Sequence, residues 1–103
     1  MKYIFKSRGL GKTADMVRLT KADQGILIVA SQSSKDYIVN CLCPNIGIDP
    51  TEIKIMTYLE FYKQRRYNSA SLKDIPVYID EFQSVFEEAI GHDITGISGT
   101  LTE

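Results

Sequence analysis

Short apolar runs alternate along this chain with segments of helical periodicity, and this alternation constrains the fold more than any other feature. The predicted strands are residues 3–7, 25–33, 53–58, 75–81 and 93–101. The predicted helices between them are residues 12–22, 34–43, 59–67 and 82–90. Strands that alternate with helices in this way predict a parallel sheet with helices on both faces. We therefore expect an α/β three-layer sandwich with a mostly parallel, five-stranded sheet.

The length and charge of the chain narrow its class. It has 103 residues, enough for one domain that spans residues 1–103. No apolar run approaches the roughly 20 residues that a membrane span needs, and the N-terminus turns polar too soon for a signal peptide. We expect a cytoplasmic protein without membrane contact. The net charge is −1, so no overall field attracts nucleic acid.

A glycine-bearing loop follows the first predicted strand and opens the first predicted helix. It reads "KSRGLGKT" over residues 6–13 and ends as the phosphate-loop consensus does, although Lys6 stands where the consensus has its first glycine. Backbone N–H groups at such a helix start bind phosphates. Lys12 would reach the β- and γ-phosphates, and the Thr13 hydroxyl would ligate Mg²⁺. The predicted nucleotide contacts are Arg8, Gly9, Leu10, Gly11, Lys12, Thr13 and Ala14.

Two acids end the fourth predicted strand. In "VYIDE", Asp80 would hold Mg²⁺ through water, and Glu81 would act on the attacking water as general base. Both the loop and the acids follow strands, and parallel strands bind ligands at their carboxyl ends. The alternative interpretation is that both acids only cap the next helix, whose dipole favours negative charge.

Taken together, these stretches resemble P-loop NTPases, most closely the RecA-like lobe of helicases and terminases and the short single-lobe P-loop proteins of bacteriophages. "SRGLGKT" resembles their motif I, "ILIVASQSS" the strand after it, and "IMTYLEF" the segment before motif II. "YIDE" resembles motif II. "GISGTLTE" resembles motif III, in which Ser98 and Thr100 would sense the γ-phosphate.

The resemblance implies a minimal P-loop core that binds ATP or another nucleoside triphosphate and Mg²⁺ and slowly hydrolyses the phosphoanhydride. Lys12 and Glu81 would be catalytic. Such a lobe works with a protein partner or as a homo-oligomer that supplies an arginine finger. In a phage-encoded protein the location would be the host cytoplasm. Two other functions stay open: an interaction module, acting as inhibitor or assembly factor on the same scaffold, and a nucleic-acid translocase or packaging subunit.

Several residues have both a functional and a plain structural interpretation. Arg8 could serve as a finger within the chain, and Arg65 and Arg66 in an oligomer, but both of the latter also suit a solvated helix face. Residues 62–68 combine lysine and arginine with tyrosines. This composition is typical either of a nucleic-acid-binding surface or of the carboxyl end of a helix. Residues 31–34 could touch a nucleic-acid backbone or cap a helix. Nucleic-acid binding thus rests on resemblance and is not supported by net charge.

Overall fold

Three parallel strands and five α-helices lie in the part of the chain that the computed structural model describes, residues 11–67 and 74–99. The strands are β1 (Ile26–Val29), β2 (Lys54–Thr57) and β3 (Val77–Ile79). The helices are α1 (Lys12–Ala22), α2 (Gln32–Tyr37), α3 (Cys43–Asn45), α4 (Tyr58–Tyr67) and α5 (Phe82–Ile90). A π-helical turn (Ile38–Leu42) joins α2 to α3, and a short 3-10 turn (Pro50–Glu52) precedes β2.

β1 is the central strand of the described sheet, whose order is β2-β1-β3. Ile28 pairs with Met56 on one side and with Ile79 on the other, and all pairings are parallel. Every residue of β1 is buried. This explains why β1 is a continuous apolar run, since a central parallel strand is covered on both faces. The predicted α/β class with a parallel sheet is confirmed.

Helices cover both faces of the sheet. Leu27 and Val29 point to one face, where Val17 of α1 and Cys43 of α3 complete a buried cluster. The alternate side chains Ile26 and Ile28 point to the other face. There they pack with the buried side chain of Val85 from α5 and with partly buried Tyr58 and Phe61 from α4.

The connection from α1 to β1 turns on Gln24 rather than on the glycine beside it. Gln24 has φ 54°, in the left-handed region. Its N–H donates to the Lys21 carbonyl, and the N–H of Gly25 donates to the Thr20 carbonyl, which closes the end of the helix. Gly25 is needed for a different reason: a Cβ there would lie 2.5 Å from the Pro76 carbonyl oxygen.

The second helical segment is longer than its sequence indicates. It begins with Ser31 as N-cap, whose hydroxyl accepts from the Ser34 N–H at 3.2 Å, and it continues to Asn45. Pro44, the residue directly after the predicted end of this helix, lies inside it. Because proline has no N–H, the usual bond to the carbonyl four residues earlier cannot form. The π-helical turn immediately precedes this gap.

Of the five predicted strands, three are present as strands in the described part of the chain. The strand predicted over residues 3–7 lies outside the described residues. Residues 93–99 form no strand, and residues 100 and 101 of that prediction also lie outside. In residues 93–99, Gly96 and Gly99 weaken any extended pairing, and the side chain of Ile97 is 62% exposed, so no packed face holds this segment as a strand.

Candidate functional site

The start of α1 is the first described part of the predicted phosphate loop. Gly11 precedes the helix with φ 77° and ψ 20°, a left-handed conformation that favours glycine. Within the described part of the chain, nothing lies within 4 Å of the position that a Cβ on Gly11 would occupy. Lys12, Thr13 and Ala14 then form the first turn of an 11-residue helix, whose leading N–H groups have no partner within the helix.

Asp80 lies directly beyond β3 and is held by contacts from two sides. Its N–H donates to the Ile28 carbonyl at 3.0 Å, which continues the pairing with β1. The Thr13 hydroxyl donates to its carboxylate, at 3.1 Å from Oδ2 and 3.3 Å from Oδ1. Only 8% of Asp80 is exposed. Folding thus brings together the two predicted metal ligands, which are 67 residues apart in the sequence.

Burial away from water raises the pKa of the Asp80 carboxyl above its ordinary value. The neighbouring carboxylate of Glu81 raises it further, whereas the Thr13 hydrogen bond and the Lys12 charge lower it. The net direction is upward. A buried carboxylate with a raised pKa is under-solvated and gains from a cation beside it.

Glu81 contacts Lys12, the first residue of α1. Its Oε1 lies 2.7 Å from Lys12 Nζ. The backbone of Glu81 is left-handed, with φ 55° and ψ 63°, which is unusual for a residue with a Cβ. Glu81 precedes α5 as its N-cap residue, yet its side chain accepts no hydrogen bond from that helix. The helix-capping interpretation therefore does not describe where the Glu81 carboxylate lies.

One hydroxyl, one ammonium group and two carboxylates form a compact polar group, contributed by Thr13, Lys12, Asp80 and Glu81. Hydroxyl and carboxylate oxygens suit Mg²⁺, which usually keeps several waters and takes only one or two carboxylates from the protein. Among residues 11–67 and 74–99, no three His, Cys, Asp or Glu side chains converge on a common point. A metal ion here would thus depend on oxygens from a ligand and from water.

Several predicted site residues lie outside the described part of the chain or in other elements. Lys6, Arg8, Gly9, Leu10 and Thr100 lie outside the described residues. Ser98 is described and exposed, in the irregular segment that follows α5. Arg65 and Arg66 lie in the last turn of α4 and are both exposed, the arrangement expected for a solvated helix face. For residues 31–34 the capping interpretation fits, because Ser31 caps α2.

A second polar group, at the carboxyl end of β2, is missing from the sequence-based candidates. The Thr57 N–H donates to Glu60 Oε1 at 3.1 Å, and the Glu60 N–H donates to the Thr57 hydroxyl at 3.2 Å. Lys35 Nζ lies 3.1 Å from both carboxylate oxygens of Glu60. The Thr57-x-x-Glu60 spacing is the capping-box signature, which could have revealed the first pair. No local pattern indicates the contact with Lys35.

Comparison with known proteins identifies no relative of this chain. The sequence matches no known protein family, and neither a curated protein nor a solved structure is significantly similar to it. In the described part of the chain, no helix combines the length and the apolar character that crossing a bilayer requires.

Proposed function

We propose that this chain binds a nucleoside triphosphate, ATP being the expected one, together with Mg²⁺, and hydrolyses it slowly. The contact between the Thr13 hydroxyl and the Asp80 carboxylate, at 3.1 Å, carries the proposal. It joins a helix start to the carboxyl end of a parallel strand, which is where open α/β sheets bind ligands. The two residue types at this contact are those that a phosphate-loop enzyme uses for Mg²⁺.

The phosphates would lie before α1. The N–H groups that have no partner within the helix and the positive end of the helix dipole favour an anion at that position. Lys12 adds a full positive charge in the first turn of the same helix. The left-handed Gly11 turns the chain just before these groups, and no described atom lies within 4 Å of the position that a Cβ on Gly11 would occupy.

Thr13 and Asp80 would hold the metal. When bound, Mg²⁺ would neutralise charge on the β- and γ-phosphate oxygens. Thr13 Oγ1 and the Asp80 carboxylate already lie together, so little rearrangement is needed to offer both oxygens to one cation. Asp80 itself would benefit, because its carboxylate is buried and its pKa is raised.

Glu81 would supply the base for hydrolysis. Its side chain is 48% exposed, so water can reach the carboxylate. It adjoins Lys12, which would place it near the γ-phosphoryl group. Glu81 would accept a proton from the attacking water, while Lys12 and the N–H groups of α1 stabilise the charge on the phosphoryl oxygens.

The corresponding fold would be a minimal, five-stranded P-loop core of the RecA-like kind, related to helicase and terminase lobes or to short phage P-loop proteins. The β2-β1-β3 order and the site at the carboxyl ends of the strands support this proposal. β3 is an edge strand of the described sheet, and Val77 at its start is half-exposed, so the sheet can continue on that side.

Calorimetric titration of ATP and ADP, each with Mg²⁺, tests the function. Wild type should bind both, and Lys12→Ala should lose at least about tenfold in affinity, the value of a charge-assisted contact. Lys63→Ala is the matched control, since it removes an exposed lysine from α4. A folded wild type that binds neither nucleotide overturns the proposal, as does a Lys12→Ala protein that binds as wild type does.

A second candidate function, protein interaction, is favoured by the surface of α5. Its apolar residues recur at helical spacing, yet Phe86 is 46% and Ile90 64% exposed. Exposed apolar side chains that share one helix face are typical of association surfaces. Phe86→Ser combined with Ile90→Ser should abolish self-association in light scattering if this face joins copies of the chain. A wild type that is monomeric at all concentrations would exclude the homo-oligomer.

A further inference from the structure

The ion pair between Lys12 and Glu81 joins the two side chains to which the proposed function gives separate tasks. Lys12 Nζ lies 2.7 Å from Glu81 Oε1. The side chain of Lys12 is 24% exposed and that of Glu81 is 48% exposed, so the pair lies partly out of solvent. While the pair exists, the ammonium group of Lys12 is committed to a carboxylate.

The local backbone shows that this contact is not a by-product of helix capping. An acid that precedes a helix ordinarily turns its side chain back to the first free N–H groups. Glu81 makes no such bond. It adopts a left-handed conformation, which is energetically unfavourable for a residue with a Cβ. The observed arrangement instead directs the carboxylate across to the start of α1, where Lys12 lies.

A carboxylate and a phosphate oxygen are both anionic hydrogen-bond acceptors, so they compete for one ammonium group. From this competition we infer that Glu81 acts as a latch on Lys12 in the nucleotide-free protein. An incoming nucleotide has to replace the Glu81 carboxylate at Lys12 Nζ. The inference rests on the proposed function and adds a regulatory step to the same site.

The exchange couples binding to catalysis. Before a phosphate arrives, Glu81 Oε1 is bound to Lys12 and is not free to accept a proton from water. Replacement at Lys12 frees the carboxylate at the moment when the phosphoryl group is in place. The latch also lowers affinity, because binding has to break an existing ion pair. A variant without the latch should therefore bind nucleotide more tightly and hydrolyse it less.

Three Glu81 variants separate the latch from simple charge repulsion. Glu81→Gln removes the charge. Glu81→Asp keeps the charge but shortens the side chain by one methylene, which breaks the 2.7 Å contact. Glu88→Gln is the control, because it makes the same charge change at an exposed position of α5. Affinities are measured by calorimetry with Mg²⁺-ADP and with Mg²⁺ and a non-hydrolysable ATP analogue, so that turnover does not contribute.

The latch predicts about fivefold tighter binding by both Glu81→Gln and Glu81→Asp, and wild-type affinity for Glu88→Gln. If only Glu81→Gln binds more tightly, the effect is repulsion and the latch is wrong. If no Glu81 variant binds more tightly than wild type, the latch is also wrong. Thermal melts of each variant confirm that the proteins compared are folded.

A measurement without nucleotide distinguishes the failure of this inference from the failure of the proposed function. Lys12→Met, Glu81→Gln and the double variant form a cycle in thermal unfolding, which reports the coupling between the two side chains. Coupling in the free protein, with no nucleotide binding by any variant, would reject the nucleotide site while confirming the ion pair. Additive melting shifts would show that no latch exists, whatever the protein binds.

Discussion

The Thr13 hydroxyl lies 3.1 Å from the Asp80 carboxylate and so ties the first turn of α1 to the carboxyl end of β3. The contact also places a hydrogen-bond donor on a carboxylate that is otherwise withdrawn from water. The Thr13 hydrogen bond offsets only part of the effect of burial, because the pKa of Asp80 stays above its ordinary value. On the proposed function a cation would complete this compensation, and without it the buried carboxylate lowers stability.

Asp80→Asn should therefore stabilise the free protein at neutral pH. Burial raises the pKa of Asp80 in the folded state, so the ionised form is less favourable there than in the unfolded chain. The contribution of Asp80 to stability is present below the ordinary aspartate pKa and is lost as the pH rises through the folded pKa. The gain from Asp80→Asn should thus shrink on acidification, as measured by urea unfolding across pH. Asp74→Asn, an exposed site, should change little.

The Thr13 hydroxyl should be needed for the metal-dependent part of nucleotide binding. Thr13→Val keeps the shape of the side chain but removes the oxygen, and should weaken binding with Mg²⁺ by about tenfold, the value of one contact to a charged partner. Thr13→Ser retains the hydroxyl and should bind within about twofold of wild type. Titrations with Mg²⁺ and with EDTA compare the two. Equal affinity of the valine and serine variants would show that Thr13 is not a ligand.

Glu60 should stabilise the protein near neutral pH and lose that effect in acid. The Thr57 N–H holds the pKa of Glu60 below its ordinary value, and Lys35 adds to this. A lowered folded pKa gives stability that is present above the unfolded pKa and lost as the pH falls through the folded one. Glu60→Gln should thus be less stable than wild type at pH 7, by less than about 1 kcal/mol because 44% of the Glu60 side chain is exposed.

Urea unfolding at several pH values checks this expectation. The difference between wild type and Glu60→Gln should close in acid, and Glu88→Gln, which removes the charge of an exposed glutamate in α5, is the control measured beside it. Thr57→Ala removes the reciprocal cap of α4 and should cost about 1 kcal/mol. A Glu60→Gln deficit that persists unchanged at low pH would indicate a packing effect instead of the ionised cap.

Local sequence patterns predict most of the described fold. Helix α1 begins and ends at the predicted residues, and β1 falls within the predicted run. Both are set by nearby features: an apolar period, a glycine before the helix and a buried run. The segment 93–99 is different, because its apolar residues are isolated between glycines and only packing could have made it a strand. Pro44 lies in the first turn of α3, where a missing N–H is tolerated, so it does not end the helical segment.

The candidate site also contains contacts that the sequence predicts and contacts that it does not. Thr13 and Asp80 could be expected to meet, since parallel strands and the helices after them converge at one edge of the sheet. The partner of Lys12 could not be predicted, because it depends on the left-handed backbone of Glu81. Neither could the Lys35–Glu60 ion pair, which joins two helices that the sequence leaves unoriented.

The turn after α1 gives the sharpest test of the backbone geometry. Gln24 has φ 54°, a conformation that costs about 1 kcal/mol for a residue with a Cβ, so Gln24→Gly should stabilise the protein by about that amount. Gln64→Gly, in the interior of α4, should destabilise by about 1 kcal/mol, since glycine disfavours a right-handed helix. At the neighbouring position, Gly25→Ala should cost about 1–3 kcal/mol because its Cβ would meet the Pro76 carbonyl oxygen at 2.5 Å. Thermal unfolding of the three variants should thus give one increase and two decreases in Tm. If Gln24→Gly is destabilising, residue 24 is not left-handed in solution.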